Sequence, residues 1–182
     1  MDKELLKQLD ENKIILLIVD PEHYSETNID ILSYLVKKGL YGIYVTVNKP
    51  YTALVELLNK EKIKTENLFF IDLITKEFNR HITDTQGCIY LDSPHCLTDL
   101  AITLRHAVET VKKEKFIFLD SLSTLLIYNK IETISRFAHF LTGKMRMWDT
   151  KGIIITLNKE TDETLISRLS QFCDSIYHIK ND

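Results

Sequence analysis

The sequence predicts an α/β fold with a mainly parallel central sheet and helices on both of its faces. Three observations carry the prediction. First, FIFL at 116–119, IILLIV at 14–19 and GIIITL at 152–157 are unbroken apolar runs, the pattern of strands buried on both faces. Second, the stretches between such runs place apolar residues at helical spacing, as in Ile29, Leu32, Leu35 and Val36. Third, the two kinds of segment alternate along the chain, which is the order that parallel pairing through crossovers requires.

In chain order, residues 2–12 are polar and charged with Leu5, Leu6 and Leu9 on one side. They read as an amphipathic helix packed on the sheet, with a partner-binding helix as the sharper alternative. Ile14–Val19 is the first strand, followed by a short polar loop and then a helix ending near Lys37-Lys38-Gly39. Gly39 suits a helix C-cap, and the lysines before it suit the negative end of the helix dipole. Gly42–Val47 is the second strand, stopped at Pro50, which cannot donate to a ladder. Residues 51–60 carry Leu54, Leu57 and Leu58 at helical spacing, and Leu68–Ile74 is a third strand. Residues 75–87 read as a surface excursion. Cys88–Leu91 is a short fourth strand closed by Pro94, and a helix runs from 98 to about Val111 with Thr98 as its N-cap. Phe116–Asp120 is an apolar strand ending in an acid. A long helix from Ile131 to about Trp148 shows Ile134, Phe137, Ala138, Leu141 and Met145 on one face. Gly152–Asn158, a helix over 161–173 and Ser175–Ile179 complete the pattern. Ile14–Val19 and Phe116–Leu119, apolar throughout, are expected side by side in the middle of the sheet.

Composition bounds the function. The 182 residues suit one α/β domain, 1–182, with a helix in 1–12 and a core over 13–180. A net charge of −3 gives no overall field to gather nucleic acid. Cys88, Cys96 and Cys173 form no CxxC pair, which argues against a zinc site, and no metal site is expected. An odd cysteine count without a signal-peptide pattern points to a cytoplasmic protein with free thiols. No apolar run is long enough to cross a bilayer.

The residues between the first strand and its helix are the informative ones. Asp20-Pro21-Glu22-His23-Tyr24-Ser25-Glu26-Thr27 stands where a phosphate-binding loop sits in many α/β chains. Such a loop uses glycines to bring backbone N–H groups close to phosphates, and a lysine to reach them. All five glycines here lie at 39 or beyond, and three carboxylates, Asp20, Glu22 and Glu26, occupy the stretch instead. A small metal site from His23, Glu22 and Asp20 is the sharp alternative to a merely solvated loop.

KKGLYGIYVTVNKPYTAL, FIFLDSLSTLL at Phe116–Leu126, KGIIITLN and CDSIYHI, taken in chain order, resemble the KaiC and RecA branch of the P-loop ATPases over roughly residues 13–179. NKPYTAL, SPHCLTDLAI and FIFLDSLSTLLIYN together resemble archaeal KaiC-like proteins with degenerate ATPase motifs. The resemblance implies a three-layer RecA-like core. It places Asp120, followed by Ser121, at the Walker B-like position. It puts the invariant lysine at Glu26 and leaves Thr27 from the Lys-Thr pair. The catalytic glutamate falls at Asn48-Lys49. Asn has no basic oxygen to accept a proton from water, and Lys is normally protonated. A glutamate in place of the lysine turns attraction for phosphate into repulsion of about 1 kcal/mol at 4 Å in water, and more at lower dielectric.

The expectation from these residues is a catalytically inactive KaiC/RecA-like domain, with no catalytic residue and no cofactor. It would act as a protein-binding scaffold or regulatory subunit, through a protein partner or a homo-oligomer built on a sheet edge or the former nucleotide face. The alternative is a nucleotide-binding or weakly hydrolysing protein with ATP and Mg²⁺ in a rebuilt pocket around Thr27 and Asp120. The third is a nucleic-acid-binding module, weakened by the charge and by the absence of an aromatic platform beside Arg136, Lys144, Arg146 and Lys151.

Overall fold

Residues 3–158 and 163–179 are described by a computed structural model of the chain. Its centre is a sheet of seven strands: β1 (Ile14–Val19), β2 (Tyr41–Thr46), β3 (Leu68–Asp72), β4 (Cys88–Tyr90), β5 (Lys115–Asp120), β6 (Lys151–Leu157) and β7 (Ser175–His178). The spatial order is β4-β3-β2-β5-β6-β1-β7, and every pairing is parallel. The helices are α1 (Lys3–Glu11), α2 (Tyr24–Lys37), α3 (Tyr51–Lys60), α4 (Thr75–Phe78), α5 (Leu97–Thr110), α6 (Leu122–Tyr128), α7 (Ile131–Met147) and α8 (Glu163–Leu169).

Side-chain alternation along each strand builds two cores from one apolar run. Ile14, Leu16 and Ile18 pack with residues of α5, α6, α7 and α8, whereas Ile15, Leu17 and Val19 pack with residues of α1, α2 and α3. The three layers are thus written into the hydropathy of β1 itself. The amphipathic α1 buries Leu5 and Leu9 in the second of these cores. After α2, Gly39 takes φ +86°, which a side chain would disfavour, and the amides of Gly39 and Leu40 turn back to Val36 and Leu35. Gly152 on β6 has a different reason: a Cβ there would stand 2.5 Å from Met145 Sδ of α7.

The structure corrects several readings. β1 and β5 are not neighbours, because β6 lies between them and pairs with both. Continuous apolarity reports burial on both faces; it carries no information about which strand is adjacent, and β6 is equally apolar. Residues 75–87 include the short helix α4. The N-cap of α5 is Cys96, without a side-chain bond, so Thr98 lies inside the helix. The segment after Asp120 forms α6, capped by Ser121, whose Oγ accepts from the Thr124 amide. Of the helix expected over 161–173, positions 161 and 162 lie outside the described residues, and α8 ends at Leu169.

Phe118 on β5 has no exposed surface and stacks on Tyr44 at 5.0 Å between ring centres. Phe118→Ala should therefore cost about 3–5 kcal/mol in chemical denaturation, the range for buried aromatic truncations. A midpoint equal to that of the unmodified chain would contradict this packing.

Candidate functional site

Two adjacent central strands, β2 and β5, deliver polar groups to one place at their carboxyl ends, the region where parallel α/β sheets bind ligands. Tyr44 pairs in register with Phe118, and Thr46 with Asp120. Alternation puts Phe116, Phe118 and Asp120 on the same face of β5, the face on which Tyr44 lies. The Tyr44 hydroxyl therefore reaches along the sheet and donates to Asp120 Oδ2. From the first turn of α2, the Tyr24 hydroxyl donates to Asp120 Oδ1. Asn48, in the turn after β2, donates through Nδ2 to the Tyr24 oxygen at 2.6 Å and stands 3.5 Å from Asp120 Oδ1 and 3.3 Å from Ser121 Oγ. Its Oδ1 accepts from the Thr124 hydroxyl of α6. One network thus ties α2, the β2–α3 turn, β5 and α6 to a single carboxylate.

Asp120 is 1% exposed. Burial pushes its carboxyl above the ordinary carboxylate range, against the opposing pull of the Tyr24 and Tyr44 hydroxyls, the Lys49 charge and Asn28. Burial, followed by the neighbouring carboxylate, drives both phenols far above the usual tyrosine value. The tyrosines consequently remain neutral donors. The free space beside this cluster, bounded by Tyr24, Asn28, Tyr44 and Lys49 and by leucines of α2 and α3, is ≈ 10 Å³. That volume holds about one water. A more open cleft of ≈ 510 Å³ lies elsewhere, where Lys76 and Arg80 face Glu77 and Asp92. Its mixed charges select no ligand sign.

The sequence-predicted residues divide sharply. Asp120, Ser121, Asn48 and Tyr24 are brought together. Lys49 joins them electrostatically, and its Nζ lies 3.5 Å from Ser25 Oγ. Only Asp20, Pro21, Glu22 and His23 form the turn, because α2 already begins at Tyr24. Asp20 closes that turn: its backbone carbonyl accepts from the His23 amide, and its side chain accepts from Asn158 Nδ2 at 3.0 Å. Pro21, Glu22 and Glu26 face solvent. Glu26 lies in the first turn of α2, where its charge complements the helix dipole instead of facing a phosphate. Thr27 is buried in that same turn. Among the described residues, no hydrogen bond joins Thr27 to Asp120, and no three His, Cys, Asp or Glu side chains are grouped as metal ligands. Burial raises the Cys88 and Cys96 thiols, and raises Cys173 to about 12, which keeps them protonated and poorly nucleophilic.

Two features escaped the sequence reading. Tyr24 reads from the sequence only as one residue of the degenerate phosphate loop, yet it opens α2 and its hydroxyl reaches Asp120 on β5. Asp72, fully buried at the end of β3, accepts from the amides of Tyr51, Ile74 and Thr75 and from the Thr75 hydroxyl. It fastens the starts of α3 and α4. Its signal was the acid at the end of LFFID, the same pattern that marked Asp120.

Two outcomes follow from this geometry. Tyr24→Phe leaves a buried carboxylate one donor short and should cost about 1–3 kcal/mol in denaturation. Because the folded Asp120 carboxyl is raised, the folded state holds a proton over a pH range in which the unfolded chain has released it. Stability should then fall as pH rises from the ordinary carboxylate value through the raised one. Asp120→Asn should flatten that part of the stability–pH curve, and an unchanged slope would contradict the assignment.

Comparison with known proteins places this architecture. No functionally curated protein matches the sequence. The KaiC-like protein PH0186 of the hyperthermophilic archaeon Pyrococcus horikoshii OT3 superimposes with TM-score 0.63 at 13% identity, over 92% of this chain and 72% of its own. The flagellar accessory protein FlaH of Methanocaldococcus jannaschii gives TM-score 0.60 at 14% identity, over 97% of this chain and 76% of its own. The uncharacterized protein PH0321 of Pyrococcus horikoshii, solved in complex with an unknown peptide, gives TM-score 0.64 at 15% identity, over 99% and 83%. At these identities the likeness is one of fold, and it is KaiC/RecA-like. Among the described residues no helix is long and apolar enough to cross a membrane. A family model described as "Family of unknown function (DUF7504)" matches residues 38–178, and the chain therefore belongs to that family.

Proposed function

We propose that this chain is a catalytically inactive KaiC/RecA-like domain that works by binding protein, as a scaffold or regulatory subunit. The observation that carries the reading is the occupation of Asp120. Its carboxylate is buried and satisfied by the hydroxyls of Tyr24 and Tyr44, with Asn48 beside them. A Mg²⁺ bound with nucleotide needs such a carboxylate facing an open site together with phosphate oxygens. Here the space alongside is ≈ 10 Å³, whereas small-molecule pockets run to roughly 300–1,000 Å³.

The surrounding chemistry supports the same reading. The Asp20–His23 turn contains no glycine, and Pro21 has no N–H to offer a phosphate. Asn48, at the position of a general base, is engaged in orienting Tyr24 and cannot accept a proton from water. Hydrolysis requires a phosphate grip, a neutralising cation and a group that orients water. The protein-binding half of the proposal draws support from PH0321, whose structure holds a peptide on a fold of this kind.

The test is phosphate release from Mg-ATP by highly purified protein, run beside Asp120→Ala. The expected result is no turnover, or a trace rate equal in both proteins. Glu26→Lys should not create activity, since Glu26 faces solvent and the turn still lacks its glycines. Turnover that disappears in Asp120→Ala would overturn the proposal in favour of an ATPase with a rebuilt pocket.

A further inference from the structure

Three helices end in the same backbone turn. After α2 the amides of Gly39 and Leu40 donate to Val36 and Leu35, and after α7 those of Asp149 and Thr150 donate to Arg146 and Met145. After α3 the amides of Lys62 and Ile63 donate to Asn59 and Leu58. The turn needs one left-handed residue, and φ is +86° at Gly39, +52° at Asp149 and +58° at Lys62. Glycine takes that conformation freely, and aspartate is among the few other residues whose short polar side chain tolerates it. Lysine has neither property. α3 therefore keeps a side chain at a position where glycine would cost the fold less, and an outlier of this kind points to function when its side chain lies at a site.

Lys62 does lie at one. A cleft of ≈ 360 Å³ separates the end of α2 from the connection between α3 and β3, and Lys37, Lys62 and Lys64 line it. Ser33 and Asn67 add neutral polar groups, while Val36 and Ile63, 8% and 5% exposed, add apolar surface. Among the described residues no carboxylate lines the cleft, and the acids of the connection, Glu61 and Glu66, are exposed outside it. All three lysines are exposed, and among the described residues none of them holds a hydrogen bond or an ion pair. Their neighbour Lys38, by contrast, is paired with Asp10. The helix dipole accounts for Lys37, in the last turn of α2. It accounts neither for Lys64, four residues past the end of α3, nor for the backbone of Lys62. Because Lys37 precedes β2 and Lys64 precedes β3, the cleft lies at the amino ends of the strands, the opposite edge from Asp120.

We propose that this cleft is an anion site that takes a small molecule carrying two or more phosphate groups. The proposal goes beyond the protein-binding reading and does not depend on it. Three like charges around one cleft repel one another, and a bound anion turns that repulsion into attraction. The volume is on the scale of small-molecule pockets, roughly 300–1,000 Å³. Linked phosphates concentrate several charges and many acceptor oxygens within such a volume, whereas carboxylates bring one charge each and must be spread along a chain. Lysine suits a phosphate as a mobile point charge with three donors. Ser33 and Asn67 offer further hydrogen bonds, and Val36 and Ile63 accommodate the organic part of a phosphate ester.

The experiment is an NMR titration of the isotope-labelled full chain with inorganic pyrophosphate, without metal and at low salt. It is run on the unmodified protein, Lys37→Gln, Lys62→Gly and Lys64→Gln, beside Lys130→Gln, an exposed lysine preceding α7. The expected result is saturable shifts at residues 33–37 and 62–67, with a dissociation constant on the order of 1 mM or tighter that weakens as salt is added. Each of the three variants should weaken binding about fivefold, the equivalent of one charge contact near 4 Å in water, and Lys130→Gln should not. Lys62→Gly should melt at or above the temperature of the unmodified chain, since glycine relieves the left-handed backbone. The absence of saturable shifts at these residues overturns the proposal, as does binding indifferent to all three variants. So does a Lys62→Gly chain that melts well below the unmodified one, because the lysine is then structural. Equal or tighter binding of a short acidic peptide of matched charge overturns the phosphate assignment in favour of an acidic segment of a protein. Saturable shifts at residues 20–27 instead would overturn the proposal and count against the closed Asp120 site as well.

Discussion

A buried carboxylate held by two tyrosine hydroxyls is the constraint on which the end of this molecule at the carboxyl ends of its strands depends. Asp120 lies at the end of a central strand, shielded from water, and among the described residues no cation is in direct contact with it. A charge in such a place requires donors, and the fold supplies them from both directions. Tyr44 comes along the adjacent strand, and Tyr24 comes down from the first turn of α2. Asn48 orients Tyr24 and in turn is held by Thr124 of α6. The start of two helices and the turn between β2 and α3 are therefore positioned by one acid.

Under the proposed reading, the same arrangement is how a KaiC/RecA-like architecture persists without nucleotide chemistry. The parallel sheet delivers its strand ends to a common edge whatever the residues there are. Tyrosine side chains satisfy the acid, and four residues separate the end of β1 from the start of α2, leaving only a short turn. A second acid at the end of β3, Asp72, shows the alternative use of such a position: four donors from the starts of α3 and α4 converge on it, and its role is to fasten those helices.

Much of the fold was legible because burial on two faces forces continuous apolar runs, and because Gly39 and Pro50 punctuate helix and strand where only their backbone properties fit. Adjacency was less legible. β1, β5 and β6 have interchangeable hydropathy, so their order in the sheet had to come from tertiary packing. At the site, Asp120 and Asn48 were singled out by position, but the partner that matters, Tyr24, was hidden. A tyrosine near a helix start carries no motif; its meaning comes from the distance between α2 and β5, which is a three-dimensional quantity. Glu26 shows the converse. Its sequence position implied a charge aimed at phosphate, yet helical geometry turns it to solvent, and the obstacle to a ligand is the packed Tyr24.

The central claim, that Tyr24 occupies the coordination sphere of Asp120 and closes the site, is tested most directly by NMR titration of the labelled protein with Mg-ATP. The account predicts that the amides of residues 20–27, Asn48 and Ser121 do not shift in a saturable way, and that the half-buried Tyr24 ring keeps its environment against Asp120. Saturable shifts confined to those residues, with release of the Tyr24 ring, would contradict it.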